Sequence, residues 1–420
     1  GKAQLQTQPS RYSTGVLQPS AMGELLRGPF CSNPKQSPSR SAGVQETHRL
    51  WRLIWSHCPA VGWRRLEQLE QLFGDLEQAW QASTPELEHA LGGTRINIQD
   101  LERIEAYRQQ VGPVPLSHPP TTQQRLQWSS RRCLLPSDTA FPRSLATAEQ
   151  PPLALYWKGR GSLWAPLRQR QAVAVIGGRR PSRHGWTMAH AIGRALAEGG
   201  WPVLGGLDEG IQAAAHQGCL SAGGRPVAVL GTPLEQSSPR ALAPLQQQIG
   251  SEGLLISEWR QGTKARSGHF ALRKRLELGL VEAVVLVECP LQSKALKTAH
   301  LAWQQGLPIW VVPADAGRSS AAGSNRLLGQ GAAPLLVPAE FLKQLGQGPL
   351  AKASHRAMTP KSADLQGREA VLLAALGQGA SLEQLCRSLR QSPIGISQRL
   401  LKLELAGLVR SAPGLWWHPC

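Results

Sequence analysis

Short apolar runs in the middle of the chain alternate with segments of helical periodicity. The first run, Ala172 to Ile176, leads through two glycines into an amphipathic stretch from Trp186 to Glu198. Continuous apolar strands separated by helices are typical of a parallel sheet covered on both faces, so the pattern predicts a doubly wound α/β fold. The further predicted strands are Val203 to Leu204, Val227 to Leu230, Leu254 to Ser257, Ala283 to Val287 and Ile309 to Val312. The helices predicted between them are Asp208 to Ser221, Ala241 to Ile249, Phe270 to Leu280 and Ala295 to Gln305.

The segment before this unit has helical periodicity from Leu50 to about Tyr107. A turn at residues 59–62 interrupts it, which predicts a helix, a tight turn and a second helix. Such a hairpin can present its amides to a phosphate, as helix-hairpin-helix modules do, and Arg64 and Arg65 follow the turn. A small packing domain explains the same pattern equally well. Between this segment and the sheet, residues 133–135 and 153–157 predict a lead-in strand pair.

The end of the chain has the pattern of a winged helix. Helices are predicted at Glu369 to Leu376, Leu382 to Leu389 and Ile394 to Leu405, the second one capped by Ser381. A β-hairpin formed by residues 407–409 and 415–417 follows them.

Changes in composition mark the domain boundaries. Residues 1–45 are rich in Gln, Ser, Pro and Gly and lack apolar periodicity, as disordered segments do. The predicted organisation is a disordered leader at 1–45, a helical domain at 46–110, a linker at 111–130, the α/β domain at 131–345, a linker at 346–365 and the winged helix at 366–420.

The formal charge of +18 favours a polyanionic partner, nucleic acid first, although proteome-wide use of arginine or a basic disordered tail also explains it. Seven cysteines show no C-x-x-C pair and no histidine at ligand spacing, which predicts reduced thiols, no metal site and a cytoplasmic protein. No apolar run has the length of a membrane span, and the first residues lack the apolar core of a signal peptide.

Ligands of such sheets bind at the carboxyl ends of the strands, so the loops there are expected to carry the chemistry. After the first strand, Gly177 and Gly178 let backbone amides approach a phosphate, and Arg179 and Arg180 add charge. The loop does not have the G-x-G-x-x-G pattern of dinucleotide-binding proteins, so no cofactor is predicted.

The loop after the second strand runs through residues 205–212 into a helix. Asp208 is predicted to cap that helix. His216 lies within the helix with no partner at catalytic-triad spacing, so a structural hydrogen bond is expected and no catalytic residue is predicted.

The loop before the fourth predicted helix of this domain, Phe270 to Leu280, holds its densest basic cluster. Bases can stack on Phe270 while the surrounding cations neutralise phosphates. A solvated helix start with Phe270 buried is the competing interpretation. These cations are Lys264, Arg266, Arg273, Lys274 and Arg275. Asn325, in a later loop of small residues, is predicted to contact the ligand where this loop closes the pocket.

In order, these segments resemble the DprA/Smf family, the DNA-processing proteins of natural transformation. The match runs from about Leu50 to Trp417. It is carried by residues 176–179, 205–216, 229–231, 255–258 and 262–263, by Phe270 with Arg273 and Arg275, and by residues 298–299, 312–313 and 323–327.

The resemblance implies an extended Rossmann-like sheet that binds single-stranded DNA, forms a homodimer and loads the RecA recombinase, without catalysis. It also implies a sterile-alpha-motif type of N-terminal domain and a C-terminal winged helix. The chain departs from the family pattern at several positions, which bears on the geometry of the pocket. These are Gly178 for serine, Glu209 for arginine, Gln212 for aspartate, Lys274 for asparagine, and Lys294 and Ala295 for glycine and serine.

Two other functions fit parts of the sequence. A nucleotide hydrolase of the phosphoribohydrolase type shares the sheet, but it needs a Gly-Gly-x-Gly-Thr turn followed by a glutamate, which the chain lacks. A regulator could read duplex DNA through the helix Ile394 to Leu405, with Arg399 and Lys402 exposed.

Overall fold

The computed structural model describes residues 38–112, 132–351, 367–412 and 415–419. Apart from the first residues of the first helix, these belong to the compact unit Gln45–Cys420. Residues 1–37 of the predicted leader and most of both predicted linkers lie outside the described residues. The first helix begins at Pro38, within the predicted leader.

Five helices form the first part of the described chain and pack around tryptophans. Trp51, Trp55 and Trp80 are buried together, and the Trp55 indole donates a hydrogen bond to the Leu76 carbonyl at 2.9 Å. The predicted helix, turn and helix are confirmed, with Ala60 in a left-handed turn conformation. The helices are α1 (Pro38–Ser56), α2 (Trp63–Phe73), α3 (Leu76–Gln81), α4 (Thr84–Leu91) and α5 (Ile98–Val111).

A large mixed sheet forms the central domain. Among the described residues it has nine strands in the order β1-β2-β6-β5-β4-β3-β7-β8-β9, of which β3 to β9 run parallel. The predicted doubly wound sheet and its antiparallel lead-in pair β1 and β2 are therefore confirmed. The strands are β1 (Cys133–Leu134), β2 (Leu155–Gly159), β3 (Val173–Ile176), β4 (Val203–Gly205), β5 (Pro226–Leu230), β6 (Leu254–Ser257), β7 (Ala283–Leu286), β8 (Ile309–Val311) and β9 (Ala333–Pro334).

The apolar runs form strands because both faces of the sheet are covered. In β3, Ala174 and Ile176 belong to the core on one face, and Val173 and Val175 to the core on the other. The covering and connecting helices are α6 (Arg143–Ala146), α7 (Trp164–Arg168), α8 (Arg183–Glu198), α9 (Ile211–Ser221), α10 (Ala243–Glu252), α11 (Ser267–Gly279), α12 (Lys294–Gln304), α13 (Ala322–Gly329) and α14 (Pro338–Leu345).

Helices α8 and α9 approach each other to backbone contact on one face of the sheet. A Cβ atom at Gly193 would collide with the Ala215 backbone, and one at Gly218 would collide with the His190 backbone. Each helix therefore supplies a glycine at the point where the other crosses it.

The winged helix predicted at the end of the chain is confirmed, with one additional short strand. It consists of α15 (Gly367–Leu376), β10 (Ala380–Ser381), α16 (Leu382–Leu389), α17 (Pro393–Leu405), β11 (Val409–Ala412) and β12 (Trp416–Pro419). Leu401 and Leu405 of α17 pack against the core of the central sheet. Glu404 of the same helix pairs with Arg132 at 2.9 Å.

Candidate nucleic-acid interface

The strand order of the central sheet creates a crevice at its carboxyl edge. Chain connections leave β3 towards β4 on one side, whereas β7 flanks it on the other, so this is the switch point where doubly wound sheets bind ligands. A cavity of about 400 Å³ lies there. Its polar lining consists of Arg179, Arg180, Asp208, Gln212, Arg273, Lys274, Glu277, Glu288, Ser293, Lys294, Thr298 and Ser320.

Helix α11 forms one wall of the cavity. Phe270, Arg273, Lys274 and Glu277 are spaced by three and four residues, which places them on one face, and all four line the cavity. Arg275 points elsewhere and pairs with Glu258 at 2.5 Å. Of the six residues predicted around this helix, the cavity therefore gathers three.

Arg273 is buried, with 5% of its side chain exposed. It pairs with Asp208 and, at 2.8 Å, with Glu277, whose side chain is 2% exposed. Burial acts most strongly on these groups and raises the pKa of Glu277, against the opposing effect of Arg273. Arg273 therefore holds the wall together, and its charge is already compensated.

The prediction that Asp208 caps a helix is wrong. Helix α9 starts at Ile211 after Gly210, whose left-handed φ of 83° turns the chain between Asp208 and the helix. The Asp208 carboxylate instead accepts from Arg273 and from Arg179. Burial opposes ionisation, but Arg273 and then Arg179 outweigh it and lower the pKa of Asp208.

The glycine loop after β3 approaches its neighbours closely, and the Gly178 amide already has a protein acceptor. Gly178 N donates to the Glu288 carbonyl at 2.6 Å. Ser182 caps α8, and its amide and hydroxyl donate to the Glu288 carboxylate at 3.1 and 2.6 Å. A protein carboxylate thus occupies the start of α8, where a ligand phosphate was expected. The Arg179 side chain is 62% exposed, and Arg180 is exposed beside it.

Two lysines line the cavity, one on α11 and one on α12, and only the first was predicted as a contact. Lys274 Nζ donates to the Lys294 carbonyl at 2.6 Å and to the Thr298 hydroxyl, and burial lowers the pKa of Lys274. Lys294 lies exposed at the start of α12 and was not predicted as a contact. Its position at the end of the loop that follows β7, at the carboxyl edge of the sheet, was the signal that could have identified it.

The remaining predicted residues lie outside the cavity lining. Lys264 and Arg266 are exposed in the loop that leads into α11. The Asn325 side chain accepts from Ala314 N at 3.2 Å and donates to Ala314 O at 3.0 Å, so it holds the loop after β8.

Phe270 combines features of both interpretations. Its ring is half-buried and lines the cavity. A Cβ at Gly231 would lie 2.6 Å from the ring, and the Arg273 guanidinium carbon lies 5.8 Å from its centroid. One part of the ring is therefore packed and fixed while another faces the crevice.

His216 has the structural role that was expected. Its Nε2 donates to the Gly206 carbonyl at 2.9 Å, and burial lowers its pKa to about 4, so the ring is neutral. The described residues contain no group of three or more His, Cys, Asp or Glu that could hold a metal ion. In the same part of the chain, no helix is both long and apolar enough to cross a membrane.

Comparison with known proteins identifies relatives along nearly the whole chain. The family described as DNA recombination-mediator protein A matches residues 132–346, and the DprA winged helix domain matches residues 356–414. Protein Smf of Synechocystis is 30% identical over 402 residues, covering 89% of this chain and 99% of the relative. Protein Smf of Escherichia coli is 29% identical over 365 residues, covering 84% and 94%.

A solved structure shares the fold. The X-ray structure of DNA processing protein A from Streptococcus pneumoniae covers 72% of this chain and 98% of its own, at 22% identity and a TM-score of 0.56. One family model matches more than half of this chain, and a relative aligns over nearly all of the relative's own length. The chain therefore belongs to the DNA recombination-mediator protein A family, the DprA/Smf proteins.

Proposed function

We propose that this chain binds single-stranded DNA in the crevice at the carboxyl edge of its sheet, and that it acts by binding rather than by catalysis. The observation that carries the proposal is the combination, at a switch point, of exposed cations with a partly exposed aromatic ring. A relative 31% identical over 195 residues is named DNA processing protein DprA, from Streptococcus pneumoniae.

The charges divide into a structural set and a set available to a ligand. Arg273 and Glu277 compensate each other inside the wall, and Glu288 is satisfied by Ser182. The side chains of Arg180 and Lys294 extend from the rim without such partners among the described residues. Each can neutralise a backbone phosphate, and such contacts do not depend on base sequence.

The bases have a separate place to bind. The face of Phe270 turned to the crevice can stack on a base, while Lys264 and Arg266 extend the basic track beyond the cavity. Arg179 remains tied to Asp208 at 2.9 Å and has enough exposure to contact a phosphate as well. Strand binding in this form is largely independent of sequence.

The test is the affinity of the full chain for labelled single-stranded and duplex oligonucleotides over a salt series. The triple variant Arg180→Ala, Lys264→Ala, Arg266→Ala should lower the salt slope for single strands by about 2, at roughly 0.7 for each lost phosphate contact. Phe270→Leu keeps apolar volume against Gly231 and should weaken binding by about 1 to 3 kcal/mol through lost stacking. The control is Arg326→Ala, Lys343→Ala, which removes exposed charge elsewhere.

Unchanged slopes in the triple variant, or equal affinity for duplex and single strands, would refute the proposal. Duplex reading through α17 is disfavoured because Leu401 and Leu405 of that helix pack against the central core.

We further propose, on the family resemblance, that the chain forms a homodimer in the cytoplasm and passes the bound strand to RecA recombinase. RecA filament formation on strands coated with single-strand-binding protein should accelerate when this chain is added. The triple variant should lose that acceleration. A monomer at all concentrations in sedimentation, or no effect on RecA, would contradict this part.

A further inference from the structure

A second cavity, of about 700 Å³, lies between the winged helix and the edge of the central sheet. Its sheet side is formed by the end of β2 and the residues that follow. Gly159 pairs with Leu254, the first residue of β6, and Arg160 N donates to the Gly253 carbonyl at 2.8 Å. This cleft therefore opens at the amino edge of the parallel strands, at the opposite end of the sheet from the crevice.

Cations dominate the lining of the cleft. Arg132, Lys158 and Arg160 contribute from the sheet side, and Arg410 contributes from β11. The one carboxylate in the lining, Glu404, is 5% exposed and pairs with Arg132 at 2.9 Å. Positive charge is therefore left in excess on both walls.

Two of these cations have no ion pair or hydrogen bond within the described part of the chain. Lys158 projects from β2 and Arg410 from β11, and both side chains are exposed. Ser162, Ser251 and Ser397 also belong to the lining. Cationic side chains and serine hydroxyls are the groups that contact phosphate oxygens of a nucleic-acid backbone.

We propose that this cleft is a second binding site for single-stranded nucleic acid, which it contacts through the backbone phosphates. A duplex does not fit the observations. Winged helices read duplexes by placing the equivalent of α17 in the major groove, about 12 Å wide. Here Leu401, Glu404 and Leu405 turn that helix towards the sheet.

The cleft and the crevice act as separate sites on one rigid sheet. A strand long enough to reach both ends of the sheet binds both, and the second contact is then intramolecular. A strand that reaches both sites should consequently bind more than twice as tightly as a short strand that reaches only one of them. The inference goes beyond the proposed function, because the cleft binds a strand whether or not the crevice does.

The test compares salt dependence in the full chain for an oligothymidylate that spans both sites. Lys158→Ala, Arg410→Ala should reduce the slope by about 1.4, which makes the affinity loss between 50 and 200 mM salt about 7-fold smaller. The charge-preserving variant Lys158→Arg, Arg410→Lys should restore the slope. Arg326→Ala, Lys343→Ala is the control of equal charge, with both side chains exposed.

Equal slopes for the cleft variant and its control would overturn the proposal. The proposal would also be overturned if the cleft variant lost affinity for an acidic peptide while its binding of the strand stayed unchanged, because the ligand of the cleft would then be a protein. The crevice variant Arg180→Ala, Lys264→Ala, Arg266→Ala is measured in parallel. If it binds normally while the cleft variant does not, the crevice proposal fails and the cleft proposal stands.

Discussion

Replacing Arg273 by methionine should destabilise the central domain by about 3 to 5 kcal/mol, the usual effect of removing one partner from a buried ion pair. The side chain is 5% exposed and contacts Asp208 and Glu277. Asp208 keeps Arg179 at 2.9 Å, whereas Glu277, 2% exposed, is left without a guanidinium. Most of the loss therefore comes from Glu277. For a domain of this size the unfolding midpoint should fall by about 10 °C.

Urea and thermal unfolding measure this effect, and its pH dependence identifies the cause. Burial raises the pKa of Glu277 in the folded chain, so its protonation favours folding below the unfolded pKa, and that contribution disappears as pH rises through the folded pKa. Without Arg273 the pKa of Glu277 rises further. The deficit of Arg273→Met should therefore shrink in acid, and Glu277→Gln in the same background should recover part of it at neutral pH.

Arg275→Met is the matched control for this experiment. Arg275 lies on the same helix and pairs with Glu258, but its side chain is 18% exposed. Solvent screens this pair more, so a smaller loss of stability is expected. An unchanged midpoint in Arg273→Met, or an equal loss in Arg275→Met, would refute the reasoning.

Three other substitutions test separate features of the domain. The pKa of His216 is lowered to about 4 in the folded chain, so the unfolded chain takes up the proton first and about 3 kcal/mol of stability is lost as pH falls from 6.5 to 4. His216→Gln keeps a donor for the Gly206 carbonyl and should abolish this loss. Unfolding at several pH values measures it, and an unaltered pH profile would contradict it. Gly177→Ala places a Cβ 2.5 Å from the Ile211 side chain and should lower the free energy of unfolding by about 1 to 3 kcal/mol, as measured in urea. Stability equal to that of the wild type would show that α9 shifts to make room. Asn325→Ala should cost about 1 to 3 kcal/mol by releasing the loop after β8, with strand affinity unchanged; weaker strand binding at full stability would assign Asn325 to the ligand instead.

Local patterns were sufficient to predict much of the fold. The apolar runs define strands because each is buried on both faces, as the two cores around β3 illustrate. In α11, the helical spacing of three and four residues is enough to predict that Phe270, Arg273 and Glu277 share one face. A residue such as Arg275, which follows Lys274 directly, could have been separated from them on that ground.

Contacts between distant segments could not be predicted from local patterns. Asp208 has the sequence position of a cap, yet it pairs with Arg273, 65 residues further along the chain. Gly178 and Ser182 donate to Glu288 because β3 and β7 are neighbours, a fact of strand order rather than of spacing. The cleft at Lys158 depends in the same way on where the winged helix docks.

The glycine crossing of α8 and α9 affects how the crevice recognises a ligand. The loops that precede these two helices carry Gly177 and Asp208 into the cavity lining. Because α8 and α9 are in backbone contact at Gly193 and Gly218, a shift of one helix would displace the other, and we expect the two loops to be coupled. In the proposed function, the crevice would therefore meet a strand with its shape already set, and the entropy lost on binding would fall on the nucleic acid. Flexible strands with unpaired bases can conform to such a surface, whereas a stiff duplex cannot.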